Sequence, residues 1–174
     1  DSTGSDNNTI TTTYGQSNTS SGISIRLSAD NIFRDSIAIS DTGIGLELLS
    51  SSTNIFQNMT ASSRGGAGMQ YDGTSNSNRV GNSTGESILS ASATILGTNN
   101  QVAESILGTN EGIGIFLGSS ATGNNFTNVT IFTNSTWWST TAAVVRNNAT
   151  DTYYNSTNAT LISRGMIELS NATN

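Results

Sequence analysis

Polar and apolar residues recur along this chain with a period of about 23 residues. The repeating marker is an Asn, an apolar residue two positions later, and an Asn, Asp or Glu two positions after that. Clear copies begin at Asn31, Asn54, Asn78, Asn100 and Asn124, and looser ones at Asn8, Asp151 and Asn174. Successive markers are 23, 23, 24, 22, 24, 27 and 23 residues apart. A period held along the whole chain predicts a repeat fold.

Alternating apolar positions predict short strands between the markers. One set follows a Gly and precedes the next marker: Ile23, Ile25 and Leu27; Ile44, Leu46 and Leu48; Met69 and Tyr71; Ile113, Ile115 and Leu117; Ile167 and Leu169. The coil around Gly85 lacks a clear copy. Another short strand follows the marker at Ile37 and Ile39, and again at Val129 and Ile131.

Three strands and three corners in each repeat predict an all-β fold, a right-handed parallel β-helix of about seven coils of about 23 residues. We expect residues 1–174 to form one β-helix domain, either complete or a piece of a longer solenoid. A sandwich or jelly roll is the alternative, but its hairpin turns would not keep one marker in register through seven intervals.

Equivalent residues of successive coils lie about 4.8 Å apart, so each marker position becomes a column of like side chains. An Asn column suits a tight bend, since Asn tolerates the left-handed conformation and its amide both donates and accepts. The predicted ladder is Asn8, Asn31, Asn54, Asn78, Asn100, Asn124, Asp151 and Asn174. The predicted inward apolar column is Phe33, Phe56, Val80, Val102 and Phe126.

Composition makes these ladders important for stability. The hydrophobic fraction is 33% and the charged fraction 10%, and Ser, Thr, Asn and Gly supply much of the remainder. About twenty large apolar residues at roughly 2 kcal/mol each form a modest core. Buried polar ladders therefore have to be well hydrogen-bonded for the fold to hold.

The net charge, the lengths of the apolar runs and the Cys content limit the kinds of partner and environment expected for the chain. The net charge is −6, Lys is absent and the Arg residues are scattered, so we expect no nucleic-acid partner. The chain has no apolar run long enough to span a membrane and no leader pattern at its start, which favours a mature or excised product. With no Cys, it has no disulfide and no thiolate site.

The Asn-x-apolar-x-Asn/Asp marker and the Gly-Ile-x-Ile/Leu-x-Leu strand resemble the right-handed parallel β-helix repeat family. That family comprises pectate-lyase-like proteins, periplasmic copper-binding-type repeats and many secreted and surface proteins. The resemblance covers Asn8 to Asn174. It implies an extracellular or cell-surface location, and it specifies fold better than activity.

The residues that family enzymes need for catalysis are scarce here. His is absent, which removes the commonest general base and transition-metal ligand. Asp30, Asp35 and Asp41 fall in one coil, where we interpret them as solvated corner residues and not as an acid pair. We therefore expect no catalytic residues, no metal site, no cofactor and no enzymatic activity.

Two other sequence features concern the outer surface of the predicted fold. Eleven Asn-x-Ser/Thr sequons occur, against roughly seven expected by chance. Because other sequons fall in marker columns, the preferred glycosylation candidates are Asn134, Asn148 and Asn158. Trp137 and Trp138 lie in the longest interval, where they either pack on the core or form a lateral contact for a protein or sugar.

No capping segment is visible at either end of the repeat series. The last coil of one subunit could then stack on the first coil of the next, a contact that does not close and so produces a filament. The predicted function is a non-enzymatic extracellular structural protein that self-assembles head to tail into a filament or surface layer. The alternatives are an adhesin or carbohydrate-binding segment of a larger surface protein, and a polysaccharide lyase-like or hydrolase-like enzyme. Ice binding is disfavoured because Thr11 to Thr13 do not repeat.

Overall fold

The computed structural model describes residues 2–133 and, beyond them, residues 143–147, 149, 152–155, 158–161 and 168–169. Every secondary-structure element assigned in these residues is a β-strand. In residues 2–133 they are β1 (Ser2–Thr3), β2 (Thr9–Thr11), β3 (Tyr14–Ser17), β4 (Ile23–Arg26), β5 (Ile32–Arg34), β6 (Ile37–Ser40), β7 (Leu46–Leu49), β8 (Ile55–Gln57), β9 (Thr60–Ser63), β10 (Met69–Tyr71), β11 (Arg79–Gly81), β12 (Thr84–Ser87), β13 (Ala93–Ile95), β14 (Gln101–Ala103), β15 (Ile106–Thr109), β16 (Ile113–Leu117), β17 (Asn125–Thr127) and β18 (Thr130–Thr133). Later strands are β19 (Ala143–Asn147), β20 (Tyr153–Asn155), β21 (Asn158–Leu161) and β22 (Glu168–Leu169).

The strands form three parallel sheets, and successive coils add one strand to each sheet. Sheet A has the order β1-β4-β7-β10-β13-β16-β19-β22, and sheet B the order β2-β5-β8-β11-β14-β17-β20. Sheet C runs from β3 through β6, β9, β12, β15 and β18 to β21. This topology confirms the all-β parallel β-helix. The regular solenoid makes about five turns of about 23 residues, slightly fewer than the seven coils expected. Beyond Thr133 the described strands β19 to β22 continue the same three sheets.

Sheet B carries the predicted apolar column, which the structure confirms. Phe33, Phe56, Val80, Val102 and Phe126 are all buried and lie side by side in register. The rings of Phe33 and Phe56 are stacked, with centroids 5.2 Å apart and planes 14° from parallel. Such stacking of like side chains is what a fixed repeat produces.

Sheet A supplies the larger share of the core. Its buried columns are Ile23, Leu46, Met69, Ala93 and Ile115, and then Ile25, Leu48, Tyr71, Ile95 and Leu117. The poorly marked coil contributes Ala93–Ile95 here, while Gly85 lies in β12 of sheet C. The prediction for Leu27 is wrong: the strand ends at Arg26, and Leu27 is 65% exposed with φ 50°.

The inward positions of sheet C are small at the start of the chain and large later. They run Gly15, Ala38, Ala61, Gly85, Leu107 and Ile131. Ile37 lies in the predicted strand but is exposed, because the side chain of Ala38 takes the inward position. The strand containing Ile131 has the expected inward alternation.

Nearly all variation in repeat length falls at one corner. From a ladder Asn through sheets B and C to sheet A the distance is 15 residues, as from Asn31 to Leu46 and from Asn100 to Ile115. The return from sheet A to the next ladder position takes 8 residues at Leu46, 9 at Met69 and 7 at Ala93. The A–B corner, between sheets A and B, therefore absorbs the changes in length, while the B–C and C–A corners stay constant as far as Thr133.

Candidate functional site at the stacked corners and the open first coil

The bend at each ladder is made by the residue before the Asn. Positive φ occurs at Asn7, Asp30, Thr53, Ser77, Asn99 and Gly123, one position before each of the six ladder residues from Asn8 to Asn124. None of those six has positive φ. The expectation that the ladder Asn itself takes the left-handed conformation is therefore wrong. The ladder residue begins the next strand, and its side chain is directed into the interior.

Each ladder Asn from Asn31 to Asn124 accepts the backbone N–H of the Asn one coil earlier. The N–H of Asn31 donates to Asn54 Oδ1 at 3.0 Å, and the N–H of Asn78 donates to Asn100 Oδ1 at 2.9 Å. The same link joins Asn8 to Asn31, Asn54 to Asn78 and Asn100 to Asn124. A side-chain oxygen thus takes the place of a strand carbonyl where the backbone has turned.

The amide nitrogens connect the coils a second time. Nδ2 of Asn54 donates to Asn78 Oδ1 at 3.2 Å and to the carbonyl of Ser28, one coil earlier, at 3.1 Å. Asn78 does the same toward Asn100 and Ser51. Each of these side chains therefore contacts the coils on both sides of its own. Asn31, Asn54, Asn78 and Asn124 are completely buried, so these bonds satisfy groups that water cannot reach.

Serine ladders follow the same rule at two other bends, and the sequence analysis did not identify them. The N–H of Ser28 donates to Ser51 Oγ at 3.3 Å, and the N–H of Ser51 donates to Ser75 Oγ at 3.1 Å. At the B–C corner the N–H of Ser83 donates to Ser105 Oγ at 3.2 Å. Their recurrence near period 23 was the signal that could have revealed them.

The C–A corner is held by a column of hydroxyls and close glycines. Ser63 Oγ accepts the N–H of Gly66 at 2.9 Å and donates to the carbonyl of Gly43, one coil earlier, at 2.6 Å. Ser40, Ser87 and Thr109 make the equivalent pair of bonds. A Cβ on Gly66 would collide with the Gly43 carbonyl oxygen. Gly66 therefore has no room for a side chain, whereas Ser20 and Ser90 occupy the equivalent corner position in two other coils.

Strand register corrects one predicted ladder position. Asn125 pairs with Tyr153, so the residue that continues the column after Asn124 is Thr152. Asp151, the predicted member, is one position earlier and lies outside the described residues, as does Asn174. The hydroxyl of Thr152 is buried without a hydrogen-bond partner in the described part of the chain. A Thr oxygen sits one bond closer to the backbone than an Asn oxygen, which explains why the ladder does not continue through it.

The first coil is the terminal coil of the described residues. Strands β1, β2 and β3 are the terminal members of sheets A, B and C, and each pairs on one side only. Asn8 uses its N–H and Nδ2 to donate to Asn31 Oδ1. Among residues 2–133, nothing donates to Asn8 Oδ1, although every later ladder oxygen there accepts a backbone N–H. This face therefore presents an acceptor for another coil.

Asp72 organises the long form of the A–B corner. Its carboxylate accepts Ser75 Oγ at 2.7 Å, the N–H of Ser50 at 3.0 Å and the N–H of Thr74 at 3.1 Å. Burial alone would raise the pKa of Asp72, but these hydrogen bonds outweigh it and hold the pKa below its ordinary value. The carboxylate therefore replaces the left-handed turn that Leu27 and Ser50 provide in earlier coils.

The remaining predicted residues have mixed outcomes. Asp30, Asp35 and Asp41 are exposed and lie at three different corners, as expected for solvated residues. Asn158 lies in β21 beside Thr130 of β18. Asn134, Asn148, Trp137 and Trp138 lie outside the described residues. The flanking strands show that the chain between Thr133 and Val145 is six residues longer than between Thr109 and Ile115, their counterparts one coil earlier.

Within the described residues, no three acidic side chains are placed to share a metal ion. The same residues contain no helix of the length and hydropathy needed to cross a membrane. No protein-family model matches the chain, and comparison with curated proteins finds no similar sequence.

Proposed function

We propose that this protein is a non-enzymatic extracellular structural subunit whose coils stack head to tail into a filament or surface layer. The observation that carries the proposal is the parallel strand pairing and Asn ladder that join successive coils, which β1, β2, β3 and the Asn8 oxygen would extend to a coil of another copy. A second copy of the chain could add its last strands to β1, β2 and β3 by the same parallel pairing that joins successive coils. Membership in the pectate-lyase-like and copper-binding-type repeat group is part of the same proposal.

The chemistry of the edge favours another β-helix coil as the occupant. Open strand edges usually carry charges, prolines or a cover that prevents pairing. Here β2 reads Thr-Ile-Thr, and Thr9 and Thr11 are exposed. Asn8 needs a donor placed one strand spacing away, which is what the backbone of an equivalent corner supplies. A new coil would therefore extend both the sheets and the ladder.

The test is electron microscopy of the purified chain with a variant that blocks only the outer edge. In a parallel edge strand alternate residues direct N–H and C=O outward, and the bond from Ile32 N–H to the Asn8 carbonyl places Thr9 in the outward set. Thr9→Pro removes an outward donor, and Thr9→Val is the matched control. We expect rods from the unmodified chain and from Thr9→Val, and single short particles from Thr9→Pro with unchanged circular dichroism. Single particles from all three would overturn the proposal.

A second candidate is an adhesin, favoured by a groove on the outer face of sheet C. The groove has a volume of about 290 Å³ and is lined by Ser62, Glu86, Asn110 and Phe132, among others. The ring of Phe132 lies over Gly108, so that a Cβ there would meet it. An aromatic face beside polar groups is suited to stacking on a sugar ring. Calorimetric titration with polysaccharide fragments should show binding that Phe132→Ala abolishes, and no heat with any fragment would reject this candidate.

A further inference from the structure

Two exposed columns run along the B–C corner, outside the ladders. The first is the left-handed residue of the corner: Thr12, Asp35, Asn58, Asn82, Glu104 and Asn128. All six are exposed. The second lies two residues later, at the outward first position of each sheet C strand: Tyr14, Ile37, Thr60, Thr84, Ile106 and Thr130. The residue between them is directed inward or into the serine ladder.

The two columns vary together. Wherever the corner residue is Asn, the strand residue is Thr: Asn58 with Thr60, Asn82 with Thr84, Asn128 with Thr130. Wherever it is not Asn, the strand residue is large and apolar: Tyr14, Ile37 or Ile106. Preference for β-branched residues on an exposed strand would not produce this pairing, since Ile serves as well as Thr there. A requirement for Thr two residues after Asn accounts for it directly.

We propose that Asn58, Asn82 and Asn128 are acceptor sites for N-linked glycosylation. Asn-x-Thr is the acceptor sequence, and it belongs on exposed surface. The donor is a lipid-pyrophosphate-linked oligosaccharide, and the catalyst is a host transferase. Asn Nδ2 forms a bond to the anomeric carbon of the sugar, the bond from that carbon to the phosphate oxygen breaks, and the lipid pyrophosphate leaves with the electron pair. One amide proton passes to a base of the transferase.

The corner geometry is compatible with attached sugar. Asn58 Nδ2 donates to Asp35 Oδ1 at 2.9 Å, and Asn82 Nδ2 donates to Asn58 Oδ1 at 2.7 Å. Each Nδ2 carries two hydrogens, and glycosylation replaces one of them. The other can keep the bond to the preceding coil. Asn58 and Asn82 are neighbours, about 4.8 Å apart along the solenoid, whereas the coil of Glu104 separates Asn82 from Asn128.

These three sites are now preferred over Asn134, Asn148 and Asn158. Glycosylation of Asn134, Asn148 and Asn158 stays a prediction for that part of the chain. The sequence pattern disfavours the corner sequons, because stacking is expected to enclose the marker residues. The third marker position is instead the exposed one. Asn125 provides a contrast, because it is half-buried in β17 and its Oδ1 accepts the hydroxyl of Thr127 at 3.3 Å.

The test is secretion of the whole chain, behind a leader, from a eukaryotic host that glycosylates, followed by glycopeptide mapping. We expect glycans on Asn58, Asn82 and Asn128, with lower joint occupancy on Asn58 and Asn82 because adjacent glycans crowd each other. Thr60→Val, Thr84→Val and Thr130→Val should each remove one glycan, whereas Thr130→Ser should keep its glycan. Secreted, folded chain that is unmodified at all three positions would overturn the proposal.

Installing a new Asn-x-Thr sequence tests whether the B–C corner accepts a glycan independently of the three natural sites. Glu104→Asn combined with Ile106→Thr installs the pair at the one position between Asn82 and Asn128 that lacks it. We expect this double variant to acquire one additional glycan, and Glu104→Asn alone to acquire none. A double variant that folds but stays unmodified there would show that the corner does not admit the transferase. Because the host supplies the secretion route, the outcome is independent of head-to-tail stacking.

Discussion

The A–B and C–A corners both turn the chain from one sheet to the next. The number of residues varies among coils at the A–B corner and stays constant at the C–A corner as far as Thr133. The A–B corner has three lengths among neighbouring coils. Besides the left-handed residue before each ladder Asn, it uses a different device for each length: a left-handed residue at Leu27 or Ser50, a carboxylate at Asp72, and a glycine at Gly97. The C–A corner repeats one hydroxyl and one close backbone contact. The difference shows that register is restored after the variable corner, by the Asn ladder, and is maintained through the constant one.

Insertion of one residue should destabilise the protein much more at the C–A corner than at the A–B corner, and this is the largest effect we expect. One Gly inserted between Gly65 and Gly66 displaces the N–H that Ser63 accepts and moves β10 out of register, which turns its inward side chains outward. We expect a loss of more than about 4 kcal/mol, or no folded protein. One Gly inserted between Gly73 and Thr74 should cost about 1 kcal/mol. Urea unfolding of both proteins measures this, and equal losses would refute the distinction.

Removing a ladder side chain should have the next largest effect. Asn78→Ala leaves the buried N–H and Nδ2 of Asn54 without their shared acceptor, and Asn100 Oδ1 loses the Nδ2 donor of residue 78. We expect a loss of about 2–4 kcal/mol, since each unsatisfied buried group costs roughly 1–3 kcal/mol. Asn110→Ala, at an exposed position of the C–A corner, is the matched control and should change stability by less than about 0.5 kcal/mol. Thermal or urea unfolding distinguishes them, and similar values for the two variants would mean that the ladder does not hold the register.

The smallest effect concerns pH at the long A–B corner. Because the pKa of Asp72 is lowered on folding, the folded protein binds fewer protons in acid than the unfolded chain does. Its contribution is therefore present at neutral pH and is lost as pH falls through the folded pKa. We expect Asp72→Asn to lose less than about 1 kcal/mol at neutral pH, since the carboxylate is only partly buried and solvent screens its interactions. Compared with Asp41→Asn, the loss should shrink in acid unfolding titrations, and a loss that grows in acid would contradict the assignment.

Sequence alone was sufficient for the solenoid because stacking requires like residues at one period, and the Asn-x-apolar marker records that requirement directly. Positions near Leu27 were mispredicted because the apolar alternation continues into a corner where the backbone has already turned. The left-handed residues before the ladder are Asn, Asp, Thr, Ser, Asn and Gly, so no single residue type signals them. Side-chain spacing along the sequence does not show which residue makes the bend.

The candidate surfaces were less predictable than the fold. The serine ladders repeat less strictly than the Asn ladder, because Met59 interrupts one of them. The shift from Asp151 to Thr152 follows from a segment after Thr133 that is six residues longer, combined with a return to sheet B that is two residues shorter than in the preceding coil. Only strand pairing separates them. The exposure of the Asn, Asp or Glu four residues after each ladder residue likewise depends on which side of the bend it occupies, which the sequence does not show.

The Asn ladder also has a direction, with a consequence for how the chain acquires its structure. Donors belong to the earlier coil and the acceptor oxygen to the later one, from Asn8 through Asn124. A polypeptide that emerges with its N-terminus first therefore displays waiting N–H groups, and each newly arriving asparagine satisfies them. Growth of ordered structure can then keep pace with translation or export, one coil at a time, so that each finished coil is the template for the next.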